Sequence, residues 1–168
     1  YSFFWNSVFG DTITNITAGS YQLIVQDASS CTDTMMIVLD QPEEIVLSEM
    51  TNMHQDVSCY GYFDGQIQLS ATGGQPMYSF TQLPGLTQSS TLFAGIGAGT
   101  YTYVVTDSNN CTDSILVNIL EPAQIVLSED LNQHQDIICF NGNDGQFSVF
   151  ASGGTPFYTY TLNGLNSQ

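Results

Sequence analysis

Residues 99–129 read GTYTYVVTDSNNCTDSILVNILEPAQIVLSE, and residues 19–49 carry the same pattern 80 positions earlier, GSYQLIVQDASSCTDTMMIVLDQPEEIVLSE. A second pair of stretches repeats at the same distance. Residues 54–80 read HQDVSCYGYFDGQIQLSATGGQPMYSF, and residues 134–160 read HQDIICFNGNDGQFSVFASGGTPFYTY. Because spacing and residue identity agree in both pairs, the sequence predicts tandem copies of one structural unit.

The phase of this repeat divides the chain into three parts. Residues 1–42 are expected to be the C-terminal part of a preceding repeat, residues 43–122 a complete repeat, and residues 123–168 the N-terminal part of a following repeat. We call these the leading segment, the middle repeat and the following segment. In such arrays each unit contacts mainly its neighbours, and stability is roughly a sum over units and their interfaces.

Short runs of alternating polar and apolar residues predict β-strands. Residues 66–71 read QIQLSA, which places Ile67, Leu69 and Ala71 on one face. Gly73 and Gly74 then mark a turn. Later in the repeat, Tyr78 and Phe80 alternate on the next strand, and Tyr101, Tyr103 and Val105 line one face of another. On the last strand Ile115, Val117 and Ile119 are expected to point inward. No stretch has a convincing helical period, so the chain is expected to be all-β, with immunoglobulin-like β-sandwich repeats.

A tyrosine stands just inside a late strand of each copy. Tyr101 follows Ala98-Gly99-Thr100, and Tyr21 holds the same place in the leading segment. This arrangement is typical of the tyrosine corner of immunoglobulin-like sandwiches, in which the hydroxyl bonds to backbone a few residues upstream.

The charge balance excludes several classes of partner. The chain has 16 Asp plus Glu and no Lys or Arg, a net charge of −16. Nucleic acids and anionic membrane surfaces are not expected partners, because both are bound through basic side chains. No apolar run reaches the roughly 20 residues that span a bilayer. Motifs such as Gly-x-Ser-x-Gly, the phosphate loop and HExxH are missing, and a repeated unit is not typical of an enzyme.

The four cysteines predict disulfides in an oxidising, extracellular compartment. The favoured pairing is Cys59 with Cys111 inside the middle repeat, which leaves Cys31 and Cys139 to partners outside this sequence. The rival pairing joins Cys31 to Cys59 and Cys111 to Cys139, and would link neighbouring repeats. Free thiols are the third alternative.

Acidic residues gather near the two predicted boundaries between repeats. They are Asp40, Glu43 and Glu44 at the first boundary, and Glu121, Glu129 and Asp130 near the second. Carboxylate oxygens are the ligands that calcium prefers, and calcium at such a boundary would stiffen an array. The alternative is solvated linker charge, and no other cofactor is expected.

Two histidines recur at equivalent positions, and three aromatic residues cluster in one loop. His54 and His134 occupy equivalent His-Gln-Asp positions and are expected to make loop hydrogen bonds rather than to act in catalysis or metal binding. Tyr60, Tyr62 and Phe63 share one loop. They are candidates for stacking on surface glycans or, as the favoured alternative, for burial against an adjacent repeat.

The chain resembles the SprB-type repeat. The residues that carry the resemblance are Cys59, Gly61, Asp64, Gly65, Gly73, Gly74, Pro76, Tyr78, Ala98, Gly99, Tyr101, Val105, Asp107 and Cys111. The sequence departs from the family pattern at Gln82, Asn110 and Asn141. These departures affect local turn shape.

The resemblance implies a secreted repeat segment of a very large cell-surface adhesin or extracellular filament of Bacteroidetes-type bacteria, linked to gliding motility and type IX secretion. Expected partners are neighbouring repeats, laterally associated chains and surface glycans. The alternative is a carbohydrate-binding or spacer module of a secreted multidomain enzyme.

Glycosylation is a further implication of such an origin. Thr12, Thr34 and Ser114 lie in Asp-Ser/Thr-apolar triplets, which these bacteria use for O-glycosylation. In a eukaryotic protein, Asn15 and Asn110 would instead be the acceptors of N-glycosylation sequons.

Overall fold

The computed structural model describes the backbone of residues 2–5, 8–9, 12–162 and 165–167, and the side chains of residues 12–162. Within these ranges the chain is built from β-strands, with two short 3₁₀ turns and no α-helix, which confirms the all-β prediction. The chain divides into two compact units, Tyr1–Glu44 and Ile45–Gln168.

The described residues of the first unit form an antiparallel sheet of four strands. Its strands are β1 (Ser2–Trp5), β2 (Val8–Phe9), β3 (Gly19–Gln26) and β4 (Thr32–Leu39), in the order β2-β1-β3-β4. Alternation in β3 and β4 gives each strand an apolar side. A tight turn at residues 27–31 joins them and places Ser30 at a positive φ of 66°.

The second unit contains the middle repeat from Ile45 onward, which forms seven strands. They are β5 (Val46–Glu49), β6 (Gly65–Thr72), β7 (Ser79–Leu83), β8 (Leu86–Gln88), β9 (Leu92–Ile96), β10 (Gly99–Thr106) and β11 (Thr112–Ile119). One sheet has the order β5-β6-β9 and the other β11-β10-β7-β8. Both sheets contribute to one core, so the middle repeat is a β-sandwich.

The core of the middle repeat comes from the inward positions of both sheets. Its buried apolar residues are Ile45, Leu47, Val57, Ile67, Leu69, Phe80, Phe93, Ile96, Tyr103, Val105, Val117 and Ile119. Tyr103 is fully buried, and its ring packs edge-on against Phe93 with 4.9 Å between ring centroids. Its hydroxyl lies 3.3 Å from Gln82 Oε1, so the one polar atom of this ring has a partner. Burial raises the pKa of Tyr103 to about 12.

The following segment repeats the first strands of the middle repeat. It forms β12 (Val126–Glu129), β13 (Val149–Ser152), β14 (Tyr160–Leu162) and β15 (Leu165–Ser167). The register is the same, since Val126 pairs with Ser152 as Val46 pairs with Thr72. A 3₁₀ turn follows β5 at Thr51–Met53 and β12 at Leu131–Gln133.

Candidate functional site

Carboxylates of the middle repeat accept hydrogen bonds from backbone N–H groups. Asp107 is the clearest case, because it is 5% exposed and lies in the turn between β10 and β11. It accepts from the backbone N of Gln75, Asn109 and Cys111 at 2.8–2.9 Å. The bond from Gln75 lowers the pKa of Asp107, and the other two bonds act in the same direction. In a chain without Lys or Arg, backbone donors thus stabilise a buried negative charge.

Gly74 fits against this carboxylate for two reasons. Its φ is +59°, which an L side chain rarely adopts. A Cβ at this position would also lie 2.7 Å from Asp107 Oδ2. Gly73 precedes it at φ 71°, and its carbonyl accepts from the Tyr78 hydroxyl at 2.5 Å. The Gly73-Gly74 turn is therefore a close packing partner of the Asp107 turn.

Two other carboxylates connect elements that are distant in sequence. Asp113 of β11 accepts from Leu47 N of β5 at 2.7 Å, which joins the two sheets directly. Asp56 accepts from Leu120 N at 2.7 Å, and Val57 N donates back to Leu120 O at 2.9 Å. The bond from Leu47 lowers the pKa of Asp113, and the bond from Leu120 lowers the pKa of Asp56. Each carboxylate therefore stabilises the sandwich in its ionised form.

His54 lies between two of these acidic groups. Its Nδ1 is 2.6 Å from Glu49 Oε1, and its Nε2 is 3.1 Å from Asp56 Oδ1. Glu49, and then Asp56, raise the pKa of His54 above its ordinary value. His134 repeats the arrangement with Glu129 at 2.6 Å and Asp136 at 3.1 Å, and Glu129 raises its pKa.

The junction after the middle repeat lies against the loop of residues 58–62. Glu121 accepts from Gly61 N at 2.6 Å, which fixes this loop to the end of β11. A groove of about 500 Å³ lies between the loop and the following segment. Its walls include Tyr60 and Tyr62 on one side and Ile125 and Thr155 on the other.

The aromatic residues of this loop are only partly covered. Tyr60 is 54% exposed, Tyr62 59% and Phe63 74%. The ring of Phe63 stands over Gly97, where a Cβ would lie 2.8 Å from it. Phe63 thus packs on its own repeat, Tyr60 and Tyr62 line the groove beside the following segment, and all three rings keep exposed faces.

The structure does not support the expected Cys59–Cys111 disulfide. All four cysteines, Cys31, Cys59, Cys111 and Cys139, are free and exposed. Cys111 immediately precedes β11, whereas Cys59 lies two residues beyond Val57, which is bonded to Leu120 at the other end of β11. Eight residues of strand span about 26 Å, and a disulfide requires Cα atoms within about 7 Å. The two thiols are therefore at opposite ends of the sandwich.

The six calcium candidates do not form a metal-binding cluster. Among the residues that the structure describes, no group of three or more His, Cys, Asp or Glu has a geometry that could hold a metal ion. Glu121 bonds to Gly61 N, Glu129 to His134, and Asp130 caps a 3₁₀ turn by accepting from Asn132 N at 3.0 Å. Asp40, Glu43 and Glu44 lie exposed at the end of the first unit.

The structure places the predicted tyrosines in strands β3 and β10 and the glycosylation candidates at exposed positions. The Tyr101 hydroxyl donates to Gly97 O at 3.0 Å, and the Tyr21 hydroxyl donates to Thr17 O at 2.6 Å, each four residues upstream. Thr12, Thr34 and Ser114 are exposed, as O-glycosylation would require. Asp11, the first residue of the Thr12 triplet, lies outside the described residues.

The local sequence does not predict the carboxylate bonds to distant backbone. Asp113 and Leu47 are 66 residues apart, and Asp56 and Leu120 are 64 apart, so no local pattern announces either pair. The recurrence of Asp33, Asp113, Asp56 and Asp136 at equivalent positions is the one signal that could have drawn attention to them.

Comparison with protein-family models identifies the SprB repeat at residues 51–87 and 131–167. Comparisons with curated proteins and with solved structures find no match. In the part of the chain that the structure describes, no helix is long and apolar enough to cross a membrane. The two matched stretches start 80 residues apart, in agreement with the repeated strands and hydrogen bonds. Residues 51–87 and 131–167 therefore match the SprB repeat, in agreement with the resemblance seen in the sequence.

Proposed function

We propose that the chain is a structural segment of a very large secreted adhesin or filament, of the kind linked to gliding and attachment. The SprB repeat is a structural module of cell-surface proteins, which supports an extracellular role. The observation that carries the proposal is the construction of the middle repeat. It is a closed sandwich whose last residues, Leu120 and Glu121, are bonded to its own loop at Val57 and Gly61.

This construction suits a module that transmits position along an array. Because Glu121 and Leu120 are held by the loop, the chain leaves the repeat in a defined direction. Tyr60 and Tyr62 line the same groove as Ile125 and Thr155, so the start of the following segment lies beside this loop. A net charge of −16 keeps parallel molecules soluble and apart.

Immunogold labelling of intact source cells tests the proposal. Antibodies against residues 45–122 should decorate the cell surface or extended structures on it, and Fab fragments should reduce attachment or gliding. Fab fragments against an unrelated surface protein are the control. Labelling that appears only after cells are permeabilised would contradict the proposal.

The exposed aromatic loop favours a second candidate, carbohydrate binding. Tyr60, Tyr62 and Phe63 present faces on which sugar rings can stack. A glycan array with the whole chain should then give saturable binding that Tyr62→Ala lowers at least about tenfold. Leu116→Ala, at a residue 72% exposed on β11, is the matched control and should bind normally. A blank array would remove this candidate.

A further inference from the structure

Two histidines are the only side chains of this chain that can carry a positive charge near neutral pH, because the sequence has no Lys or Arg. His54 and His134 occupy equivalent positions, and each lies between two carboxylates at the same pair of distances. In the middle repeat, Nδ1 of His54 is 2.6 Å from Glu49 Oε1, and Nε2 is 3.1 Å from Asp56 Oδ1. All three residues belong to the middle repeat, which has both sheets of its sandwich. The arrangement is therefore a property of the repeat itself.

This geometry fits the protonated ring of His54. Ionised carboxylates only accept hydrogen bonds, so both ring nitrogens must donate, and only the imidazolium has an N–H on each nitrogen. A neutral ring donates through one nitrogen and turns the lone pair of the other towards a carboxylate. Glu49 is nearer to the ring and is 17% exposed, whereas Asp56 is 46% exposed. Loss of the proton should therefore break the contact with Asp56 and keep the one with Glu49.

Asp56 also holds the end of the repeat. The same oxygen that faces His54 Nε2, Asp56 Oδ1, accepts from Leu120 N at 2.7 Å. Val57 N donates back to Leu120 O at 2.9 Å, so the residue after β11 is attached on both sides. One carboxylate oxygen thus links the histidine ring to a backbone amide 64 residues away from Asp56. Any change that moves this oxygen acts directly on the end of the repeat.

The groups around His54 come from four elements. Glu49 belongs to β5, Asp56 lies in the loop after the 3₁₀ turn, and the amide of Leu120 follows β11. Tyr103 of β10 interacts electrostatically with Glu49, and burial raises the pKa of Tyr103 to about 12, so its hydroxyl stays neutral. Carboxyl side chains are ordinarily ionised at neutral pH. Among these groups, His54 is therefore the one that changes its charge near neutral pH.

We propose that His54 is a pH-sensitive clamp on the end of the repeat. The protonated ring holds Asp56 Oδ1 against Leu120 N and fixes the point at which the chain leaves the sandwich. The neutral ring turns a lone pair towards this oxygen, and Asp56, which is half-exposed, moves to water. Leu120 and the adjoining Glu121 then gain motion while the core stays folded. With one clamp in each repeat, the change would add up along an array.

The direction of the pH effect follows from the two carboxylates. The hydrogen bond to Glu49, and then the one to Asp56, raises the pKa of His54 above its ordinary value of 6.5. The clamp is therefore closed below pH 6.5 and opens as pH rises through the folded value above it. Acidic surroundings should stiffen the junction after the repeat, and alkaline surroundings should loosen it. This regulation goes beyond the proposed adhesin role and does not depend on it.

Nuclear magnetic resonance of the whole chain tests the clamp. The ring signals of His54 and the amide signal of Leu120 should change with pH at one common midpoint. Across that midpoint, the protection of the Leu120 amide against solvent exchange, corrected for the intrinsic rate at each pH, should fall at least about threefold, as expected for loss of one hydrogen bond. The ring signals of Tyr103, which is fully buried, should stay constant and show that the core remains folded.

Two variants separate the clamp from a merely structural contact. In Asp56→Asn the amide oxygen can still accept from Leu120 N, but the negative charge beside His54 is lost, so the midpoint of His54 should move to lower pH. In His54→Gln the Leu120 amide should show no transition near neutral pH. His134→Gln is the matched control, because it alters the equivalent ring in the following segment and should leave the Leu120 midpoint unchanged.

Three results would overturn the clamp. The first is a Leu120 amide that does not respond while the His54 ring titrates. The second is a Leu120 transition that persists in His54→Gln, and the third is an unmoved His54 midpoint in Asp56→Asn. The surface labelling experiment does not depend on any of these outcomes, so the adhesin role fails or stands separately.

Discussion

Leu47 and Leu127 occupy the same place in two copies of one pattern, yet Leu47 is 4% exposed and Leu127 is 65% exposed. The strands around them pair in the same register. The difference is the second sheet, which β7, β8, β10 and β11 supply in the middle repeat. Strand formation and register therefore follow from the local sequence, whereas burial requires the sheet that packs opposite.

The middle repeat and the following segment should differ most in the free energy of unfolding that is lost when a core residue is truncated. Leu69 is 1% exposed, so Leu69→Ala should lower the free energy of unfolding by about 3 kcal/mol. Val149→Ala, at the equivalent half-buried position, should cost less than about 1 kcal/mol. Urea unfolding followed by circular dichroism measures both. Equal losses of unfolding free energy in Leu69→Ala and Val149→Ala would show that both residues are buried in comparable cores, which would contradict this account.

A smaller difference is expected at the turn carboxylates. Asp107→Ala removes an acceptor for Gln75, Asn109 and Cys111 N, whereas Asp27→Ala removes one for Ser29 and Cys31 N. Because Asp107 is buried, its removal leaves backbone N–H groups with neither the carboxylate nor water as an acceptor. Asp107→Ala should therefore lower the melting temperature more than Asp27→Ala. Differential scanning calorimetry checks the order. A larger fall in melting temperature for Asp27→Ala would show that burial and the hydrogen bond from Gln75 N do not make Asp107 the more stabilising carboxylate.

The stability of the chain should fall at both acidic and alkaline pH, for two different reasons. Lowered pKa values of Asp56, Asp107 and Asp113 add stability above the ordinary value of 3.8, and this stability is lost as pH falls through the folded values below it. The raised pKa of His54 adds stability below 6.5, which is lost as pH rises through the folded value above it. The melting temperature should therefore be highest between about pH 4 and 6.5.

His54→Gln isolates the alkaline limb. The variant should melt lower than the unaltered chain at mildly acidic pH and should lose the decline above pH 6.5. His134→Gln is the control in the following segment, where His134 and Glu129 are more exposed and solvent screens the pair more strongly. An unchanged pH profile for His54→Gln would show that its carboxylate contacts do not affect stability.

The smallest effect should come from the outward positions, where the two copies are alike. Val46 and Val126 are each 49% exposed. Val46→Thr and Val126→Thr should each change the free energy of unfolding by less than about 0.5 kcal/mol. The same urea titrations measure this, and a large loss at Val126 alone would show that its environment differs from that of Val46.

The sequence predicted the parts of the fold that depend on local alternation. Ile67, Leu69, Val117 and Ile119 were expected to face inward and are buried, whereas Ala71 and Ile115, also expected there, are partly buried against the core. Local alternation could not predict whether Cys59 and Cys111 form a disulfide. The distance between the two cysteines depends on which end of β11 each of them lies near. Residue type and spacing carry no such information.

The candidate site was less predictable than the fold. The acidic residues near the boundaries were candidates for calcium ligands, with solvated linker charge as the alternative, and the sequence did not predict that Glu121 accepts from Gly61 N or that Glu129 bonds to His134. A carboxylate's partner is set by the backbone that the fold brings beside it. In a chain without basic side chains, that partner is often an amide N–H from a distant strand.

Amide hydrogen exchange of the whole chain in dilute solution tests most directly whether the sheet of β5 and β6 is covered by a second sheet while the equivalent sheet of β12 and β13 is exposed. Pepsin can produce separate fragments for residues 46–72 and 126–152, whereas trypsin cannot cut a chain that has no Lys or Arg. Backbone amides of β6 and β10 should exchange slowest, and those of β12 and β13 should exchange much faster than their equivalents in β5 and β6. Equal protection of residues 46–72 and 126–152 in monomeric chain would contradict the account.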